Sequence, residues 1–330
     1  MRLLAAPDKF RGTLTAREAA TAIAAGAARA GWTAVELPLA DGGEGTLDVL
    51  GGGNRRTIVT GPLGEPVEAE WRLDADGTAL AEAALACGLS LAGGPEANDP
   101  LRATSRGVGE LVAAAVAEGA ARIIVAVGGV ASTDGGLGAV EALQASLPLP
   151  VPLDVACDVD ARFLDAADVF APQKGATPEQ VRILRDRLDE LAGRYRDELG
   201  VDVRELPGAG AAGGLAGGLA AVGAQLLSGF DLVASRLGLD ERLAEADLVV
   251  TGEGRLDATS FTGKAVGHVV ARAAAAGVET LVVAGDVAAG SPVDAISLVA
   301  RYGPERALAE PAECLEELVA TALATRRNGP

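Results

Sequence analysis

Carboxylates, glycines and one lysine occur together in residues 247–268, DLVVTGEGRLDATSFTGKAVGH. The apolar run 247–251 predicts a short buried strand, and the Gly-Glu-Gly of residues 252–254 predicts a turn directly after it. Glycines allow backbone N–H groups to approach an anion, carboxylates bind a metal ion, and the Lys264 ammonium can offset phosphate charge. These residue types therefore predict a centre that binds magnesium and phosphate.

Two other segments repeat this combination of residues. The pattern GEGxLD occurs at residues 43–48 and 252–257, and the pattern DGGxG occurs at residues 41–45 and 134–138. Separated segments that share one chemistry and follow predicted strands indicate a single cleft built from strand ends.

Lysine is rare in this chain, and its three copies lie in similar surroundings. Lys9, Lys174 and Lys264 are the only lysines among 28 basic residues, and each lies in a polar, glycine-bearing stretch. A genome that favours arginine explains the scarcity but not the placement, whereas a compact ammonium suits a phosphate group. We therefore expect at least two of them to contact substrate or nucleotide.

The general base is expected to be a carboxylate. His268 is the only histidine and lies in a predicted helix, where such a residue is usually packed, so Ser-His-Asp triads and multi-histidine zinc sites are disfavoured. Eight acidic residues lie in glycine-bearing loops at predicted strand ends: Asp8, Asp41, Glu44, Asp134, Asp158, Glu253, Asp257 and Asp286. Any one of them could instead cap a helix. Eight exceed what capping requires, so we expect some of them to take part in chemistry.

These residues need strands and helices to position them. Residues 2–6 predict a strand, Thr15 and Glu18 predict a capping box at the start of a helix, and residues 34–39 predict the next strand. A strand–helix–strand order favours parallel pairing. Residues 57–83 instead indicate an antiparallel meander with turn residues between its strands, and hence entry into a second domain.

Length and composition limit the class of protein. A chain of 330 residues suits two domains, or one large domain with an insertion. A net charge of −18 argues against nucleic acid and anionic membranes as partners. No apolar run reaches about 18 residues, the N-terminus lacks a signal-peptide pattern, and three distant cysteines imply no disulfide framework. We expect a cytoplasmic protein, monomeric or homodimeric.

A dinucleotide site is one alternative to a phosphate–metal centre. Residues 208–213 spell GxGxxG, and Asp231 follows at a suitable distance. The preceding run 201–206 alternates apolar and charged residues, which indicates an edge strand rather than the buried first strand of a Rossmann unit. The same glycines would also serve close helix packing or a phosphate contact at a helix N-terminus. The P-loop pattern GxxxxGK[ST] is absent.

With these residues identified, the chain resembles the bacterial glycerate kinase type-1 family along nearly its whole length. The resemblance lies in segments that occur in the family's order: APDKFRGTLTAREAA (6–20), PLADGGEGTLDVL (38–50), VTGPLGEPVEAEW (59–71), SRGVGEL (105–111), GGVASTDGGLG (128–138), ACDVD (156–160), VFAPQKGATPEQV (169–181), GAGAAGGLAGGL (208–219) and VVTGEGRLDATSFTGKA (249–265). Three loops differ from the family pattern, at Lys9, at Val130 with Thr133, and at Ala161, so we expect substrate contacts to differ there.

The resemblance implies an α/β fold of two domains. One is a discontinuous flavodoxin- or Rossmann-like domain with a parallel sheet, expected at residues 1–56 and 235–330. The other is an inserted α/β domain with a mixed sheet, expected at residues 57–234, and the active site is expected in the cleft between them. The implied reaction is ATP-dependent phosphorylation of D-glycerate, with 2-phosphoglycerate more strongly implied as the product than 3-phosphoglycerate.

The residues and the resemblance together predict phosphoryl transfer, in which positioning and charge neutralisation carry the catalysis. Three carboxylates are expected to bind Mg²⁺, directly or through water: Asp41, Glu44 and Glu253. Lys264 and Lys174 are expected to face the transferring phosphoryl group. Asp134 or Asp257 is expected to accept the hydroxyl proton.

Two further sets are expected to bind the acceptor acid and ATP. Because the carboxylate of glycerate needs a cation, Lys9 and Arg11 lead the substrate-binding set, which also includes Asp8, Ser105 and Arg106. Seven glycines are expected to contact the phosphates of ATP: Gly128, Gly129, Gly208, Gly210, Gly213, Gly252 and Gly254.

Two other functions remain open from the sequence. One is an NAD-dependent oxidoreductase built on residues 208–213, which NADH rather than Mg-ATP would stabilise. The other is a non-catalytic small-molecule binding protein of two α/β lobes, which would bind a ligand without turning over ATP.

Overall fold

The computed structural model describes residues 1–10, 12–261 and 263–327. The chain forms two compact units. The terminal unit contains Met1–Asp41, Asp48–Leu50 and the described part of Phe230–Pro330, and the inserted unit contains Gly42–Leu47 and Gly51–Gly229. Each unit combines helices with a β-sheet, so the predicted α/β class is confirmed.

The strands of the described residues fall into two sheets. Their bounds are β1 (Arg2–Ala5), β2 (Thr33–Glu36), β3 (Arg55–Thr60), β4 (Pro66–Leu73), β5 (Thr78–Glu82), β6 (Arg122–Ala126), β7 (Leu153–Cys157), β8 (Gln225–Ser228), β9 (Leu248–Leu256), β10 (Glu279–Val287) and β11 (Ala295–Ser297).

The helices connect these strands. Their bounds are α1 (Ala16–Arg29), α2 (Thr46–Val49), α3 (Ala83–Cys87), α4 (Arg106–Ala117), α5 (Leu137–Leu143), α6 (Asp165–Phe170), α7 (Pro178–Arg194), α8 (Leu215–Ala221), α9 (Gly229–Leu237), α10 (Leu239–Ala244), α11 (Ala265–Ala276), α12 (Leu298–Tyr302), α13 (Pro304–Ala309) and α14 (Pro311–Arg327). Short 3₁₀ turns lie at Gln144–Ser146, Pro172–Lys174 and Ala258–Phe261, and a π-helical turn lies at Tyr195–Leu199.

The terminal unit has a parallel sheet, as predicted. Its described strands follow the order β11–β10–β9–β1–β2, and every pair is parallel. Counted along the unit this is the 2-1-3-4-5 order of flavodoxin-like folds. Successive residues Leu3 and Leu4 of β1 belong to two separate buried clusters, as expected of a parallel sheet covered by helices on both faces. The order reverses direction between β1 and β9.

The inserted unit has a mixed sheet, also as predicted. Its described strands follow the order β3–β4–β5–β6–β7–β8. The pairs β3–β4 and β4–β5 are antiparallel, which confirms the predicted meander, and the remaining pairs are parallel. The parallel strands β5, β6 and β7 therefore deliver their carboxyl ends to one edge of the sheet.

Two helix starts follow the sequence signals directly. The Thr15 hydroxyl oxygen accepts from the Glu18 N–H, and the Glu18 carboxylate accepts from the Thr15 N–H. The predicted capping box is therefore confirmed. Thr177 forms the same arrangement with Gln180, and Pro178 is the first residue of α7. Both caps are local, which is why a short stretch of sequence suffices to predict them.

The predicted turn at residues 252–254 is wrong. β9 continues through these residues to Leu256, because β10 pairs with it along its length. A side-chain carbon on Gly252 would lie 2.0 Å from the Val283 carbonyl oxygen, so glycine here permits close approach of two strands. The same strand pairing extends β10 through Gly285 and Asp286.

The edge strand expected at residues 201–206 is also absent, since none of those described residues belongs to a strand. The glycine run that follows therefore lacks the strand that a dinucleotide fingerprint requires. Among the described helices, none combines the length and the hydropathy needed to span a membrane.

Candidate active site

The carboxyl ends of β1 and β9 lie where the strand order of the terminal sheet reverses. In open parallel sheets ligands bind at such a point, because the loops leaving the two strands diverge to opposite faces. Asp8 follows β1, and Glu253 lies in the carboxyl-terminal half of β9. The Asp8 N–H donates to the Gly252 carbonyl oxygen at 2.9 Å. Two sequence-predicted site residues thus lie where this fold binds ligands.

Asp8 is buried next to other carboxylates. Only 6% of the residue is exposed. Burial and then the charge of Asp41 raise the pKa of Asp8 to about 7, with a smaller contribution from Glu253. The Lys9 ammonium and backbone N–H oppose this rise, and the N–H donates to Asp8 Oδ1 at 2.7 Å. A carboxyl group with this pKa can exchange a proton near neutral pH.

Glu253 is a buried carboxylate that is only partly satisfied. Its Oε2 lies 3.6 Å from Lys264 Nζ, whereas its Oε1 is buried with no hydrogen-bond partner among the described residues. Burial raises the pKa of Glu253, and the Ser260 hydroxyl and the Lys264 ammonium oppose that rise. Leaving a buried acceptor unpaired costs about 1–3 kcal/mol, so such an atom calls for an explanation. A ligand at this position would provide one.

Lys264 and Asp257 come from the segment between β9 and α11. Lys264 immediately precedes α11, and 35% of its side chain is exposed. The buried Ser260 hydroxyl oxygen accepts from the Asp257 N–H at 3.0 Å, which fixes the 3₁₀ turn between them. Lys264 therefore contacts a buried carboxylate and is still accessible from solvent, as a phosphate-binding lysine must be.

The remaining predicted residues of the terminal unit differ in how they are placed. Asp41 is close enough to Asp8 to raise its pKa, and Lys9 is half-buried next to Asp8. Arg11 lies outside the described residues. Gly252 and Gly254 lie within β9 rather than in a loop, and the close approach of β10 accounts for glycine at position 252.

The carboxylates predicted to bind magnesium are distributed over both units. Asp41 and Glu253 belong to the terminal unit and Glu44 to the inserted unit. Across the described ranges, no group of three His, Cys, Asp or Glu side chains is arranged to hold a metal ion. Mg²⁺ commonly takes one or two carboxylates and completes its octahedron with water and substrate phosphates. The Glu253 oxygen that has no hydrogen-bond partner within the described ranges is compatible with this mode of binding, and the assignment of Asp41 and Glu253 to Mg²⁺ stays a prediction.

In the inserted unit, Glu44 lies beside the loop that follows β6. A side-chain carbon on Gly129 would lie 3.6 Å from Glu44 Oε2, and one on Gly128 would lie 2.9 Å from Gly43 Cα. Gly129 is exposed and has a φ of 65°, a conformation that glycine adopts readily. The structure thus brings together two of the segments that the sequence marks as phosphate-binding.

Asp134 has the environment of a structural acceptor. Its Oδ2 accepts from the Ser105 N–H and hydroxyl, both at 2.8 Å, and from the Gly138 N–H at 3.2 Å. Its Oδ1 accepts from the Gly136 N–H at 3.1 Å. These bonds join the starts of α4 and α5. The helix-capping alternative therefore describes Asp134, and its oxygens have little capacity left for a substrate hydroxyl.

Ser105 and Arg106 are both engaged within the inserted unit. Ser105 is fully buried and donates its hydroxyl to Asp134, while Arg106 is exposed and contacts Glu110 at 3.0 Å. A role for either residue in binding substrate stays a prediction.

Lys174 is a buried lysine rather than an accessible one. It is 5% exposed, and its Nζ donates to the Ser132 carbonyl oxygen at 2.5 Å and lies 3.5 Å from Thr133 Oγ1. Burial lowers the pKa of Lys174 to about 8, although the nearby Cys87 and Asp134 favour its charged form. Its contacts hold the loop that contains Ser132 and Thr133, so its place in the structure is that of a positioning residue.

The glycine run at residues 208–218 is a packing surface. Side-chain carbons on Gly210 and Gly213 would lie 2.2 Å from the carbonyl oxygens of Arg162 and Ser132. On Gly213 the added carbon would also lie 2.9 Å from Lys174 Nζ. Gly208 has a φ of 81°, which also favours glycine. Close backbone packing, which the sequence leaves open as one alternative to a dinucleotide site, accounts for glycine at these positions.

Other acidic residues and the histidine have local roles. His268 stacks on Phe230 with ring centroids 4.6 Å apart, which confirms that it is packed. Asp158 accepts from the Gly229 N–H at 2.9 Å, and Asp286 accepts from the Val287 N–H at 3.0 Å. Both acids thus bond to neighbouring backbone.

Two residues of these clusters were assigned no role from the sequence. Glu82 is buried at the end of β5, and its two carboxylate oxygens accept from the Gly45 and Leu47 N–H groups at 3.0 Å. Ser260 is the hydroxyl beside Glu253 and Asp257. A lone glutamate in the apolar run TALAEAALAC is a signal that could have identified Glu82. A serine in a loop carries no such signal.

Comparison with known proteins gives consistent matches. The model of the glycerate kinase family matches residues 3–149 and 146–325. A glycerate 2-kinase of Escherichia coli K12 is 40% identical over 304 residues, which cover 80% of each chain. An uncharacterized protein of Mycobacterium bovis is 44% identical over 87% of this chain and 79% of its own. The crystal structure of a candidate glycerate kinase 2 from Salmonella typhimurium LT2 superposes with a TM-score of 0.83 at 35% identity, covering 100% of this chain and 99% of the other.

Proposed function

Because the chain belongs to the glycerate kinase family, we propose that it transfers the γ-phosphoryl group of ATP to a hydroxyl of D-glycerate. We propose 2-phosphoglycerate as the product, by analogy with the Escherichia coli relative named a glycerate 2-kinase. The observation that supports phosphoryl transfer most strongly is the buried Glu253 oxygen, which has no hydrogen-bond partner among the described residues and lies beside Lys264 at the switch point of a flavodoxin-like sheet.

Mg²⁺ would be held by Asp41 and Glu253, with Glu44 as a further candidate from the inserted unit. The ion would supply positive charge that neutralises the phosphates. Lys264 would place its ammonium against the transferring group, where a fixed positive charge stabilises the transition state more than the ground state. Lys174 is too buried to do the same and would instead keep the loop at residues 130–136 in place.

The proton of the attacking hydroxyl needs an acceptor. We propose Asp8 for this step in preference to Asp134 or Asp257, because Asp134 already receives four hydrogen bonds. Asp8 lies at the switch point, and its pKa of about 7 suits a general base that works near neutral pH. Lys9 and Arg11 remain the proposed partners of the glycerate carboxylate.

The nucleotide phosphates are proposed to contact the exposed loop at Gly128 and Gly129. The glycines at 208, 210, 213 and 252 have packing roles that already explain them, and Gly254 lies within strand β9, so we do not assign these glycines to ATP. We also propose that the protein acts in the cytoplasm on small molecules, and its strongly acidic composition argues against nucleic acid and anionic membranes as partners. Its association state is proposed to be monomeric or homodimeric.

The experiment that tests this function is ADP release from Mg-ATP in the presence of D-glycerate, with the product passed to enolase. Consumption by enolase without phosphoglycerate mutase identifies 2-phosphoglycerate. Consumption only when mutase is present means that the 3-hydroxyl is phosphorylated and that the proposed regiochemistry is wrong. ADP release that does not depend on D-glycerate, or no release at all, would reject the proposed acceptor.

A further inference from the structure

The inserted unit contains a cavity of about 360 Å³ that the mechanism above does not use. It lies between the loop at residues 100–104, the start of α5 and one face of α7. Thr133 and Asp134 are among the residues that line it, so it adjoins the loop that begins at Gly128. A three-carbon acid would fill only a fraction of this volume, which is within the range typical of sites for larger organic ligands.

One wall of the cavity is lined by apolar side chains of α7. Leu184, Leu188 and Leu191 of α7 line it, and all three are buried. Their spacing of four and three residues places them on one side of the helix. Because a nucleobase carries its hydrogen-bonding groups on its edge and none on its faces, an apolar wall is compatible with the face of a planar base.

The rim of the cavity carries both charge signs. Arg102, Arg187, Glu141 and Glu190 line it and are exposed. Arg187 donates to the Leu101 carbonyl oxygen at 2.9 Å, which fixes its position, whereas Arg102 forms no ion pair within the described part of the chain. Two carboxylates at the rim would repel a triphosphate. Donors and acceptors side by side instead match the edge of a purine, which offers an exocyclic amine and ring nitrogens.

We propose that this cavity binds the adenine base of ATP. The inference rests on the proposed kinase function, which requires ATP as the phosphoryl donor. With the base between α7 and the loop at residues 100–104, the phosphates would extend past Thr133 towards Gly129. Lys174 would then support the nucleotide by holding the carbonyl of Ser132 in that same loop.

The first test compares two arginines near α7. Arg102→Ala removes the unpaired rim arginine, and we expect the KM for ATP to rise about tenfold, as loss of a charged hydrogen bond implies, with the KM for D-glycerate unchanged. Arg185→Ala is the matched control, because Arg185 lies on α7 outside the cavity lining and pairs with Asp168 at 3.2 Å. It should keep both wild-type KM values. Unchanged KM for ATP in Arg102→Ala, or a rise in the KM for D-glycerate alone, would overturn the proposal.

A second test does not require turnover. The two native tryptophans, Trp32 and Trp71, are buried, so an exposed tryptophan at the rim adds a separate fluorescence signal. We expect the fluorescence of Glu141→Trp to change saturably on titration with ADP, and that of Arg185→Trp to stay constant. If the fluorescence of Glu141→Trp does not change with ADP although the enzyme still consumes ATP, the cavity is not the adenine site and the kinase function is unaffected. An ADP response in a protein without kinase activity would support the cavity and reject the proposed reaction instead.

Discussion

Asp134 and Glu253 belong to the repeated acidic glycine patterns, but their carboxylates are satisfied to very different degrees. Asp134 of the inserted unit receives four hydrogen bonds between 2.8 and 3.2 Å. Glu253 of the terminal unit has a buried oxygen that receives no hydrogen bond from the part of the chain that the structure describes, and the pKa of nearby Asp8 is raised by burial and by neighbouring acids. A carboxylate with a full set of donors stabilises the fold, whereas one without them is available for a ligand.

The two lysines of these regions differ in the same way. Lys174 is 5% exposed and donates to a backbone carbonyl, while Lys264 has 35% of its side chain exposed and lies 3.6 Å from Glu253. The sequence surroundings of both lysines suggest phosphate binding. Because Lys174 is buried, it positions a loop, whereas the partly exposed Lys264 is accessible to a substrate.

The largest expected effect concerns Asp134. Asp134→Ala leaves the N–H and O–H donors at the starts of α4 and α5 without their acceptor, so we expect the free energy of unfolding to fall by about 4 kcal/mol. Urea denaturation measures this, with the exposed Asp160→Ala as a control that should stay within about 0.5 kcal/mol of wild type. An Asp134→Ala protein that keeps wild-type stability but has lost turnover would contradict the structural role given to Asp134.

A smaller effect is expected from Lys174 and depends on pH. Its pKa falls from 10.5 to about 8 on folding, so the unfolded chain binds more protons between these values and stability rises with pH there. The free energy of unfolding of the wild type, measured relative to that of Lys174→Met, should therefore rise by up to about 3 kcal/mol between pH 8 and pH 10.5. Unfolding curves of both proteins across that range test this. A difference that does not vary with pH would mean that Lys174 is not desolvated as described.

The third effect concerns Lys264 and falls on turnover rather than stability. Lys264→Met should lower kcat at least about a hundredfold, since a fixed charge on the transferring group is typically worth that much. Because the side chain is partly exposed, its removal should change the thermal midpoint little. Lys264→Arg keeps the charge and should recover part of the rate. Near-wild-type kcat in Lys264→Met would remove this lysine from the mechanism.

Local signals in the sequence predict much of the fold. The capping box at Thr15 and the antiparallel meander are correct because each depends on neighbouring residues. The turn expected at residues 252–254 is wrong because β10, far along the chain, pairs with β9 through those residues. No short pattern distinguishes a glycine that turns a chain from one that admits a neighbouring strand.

The candidate site is predictable in its residue types but not in their division of roles. Glu253 and Lys264 lie 3.6 Å apart in the structure, and a segment of only twelve residues contains both. Asp134 has the same sequence surroundings, but its donors include Ser105, 29 residues away. Lys174 and Lys264 likewise differ in role because they differ in burial. Burial depends on tertiary packing, which local sequence patterns do not reveal.

The most direct test of the central claim is to measure unfolding free energy and Mg-ATP turnover of Asp8→Asn at pH 8. The pKa of Asp8 rises from 3.8 to about 7 on folding, so its ionisation opposes folding increasingly as pH rises between those values. We predict that Asp8→Asn is more stable than wild type at pH 8, that the difference disappears near pH 4, and that turnover is lost. A variant that is less stable than wild type at pH 8 and still turns over ATP with D-glycerate would contradict the claim.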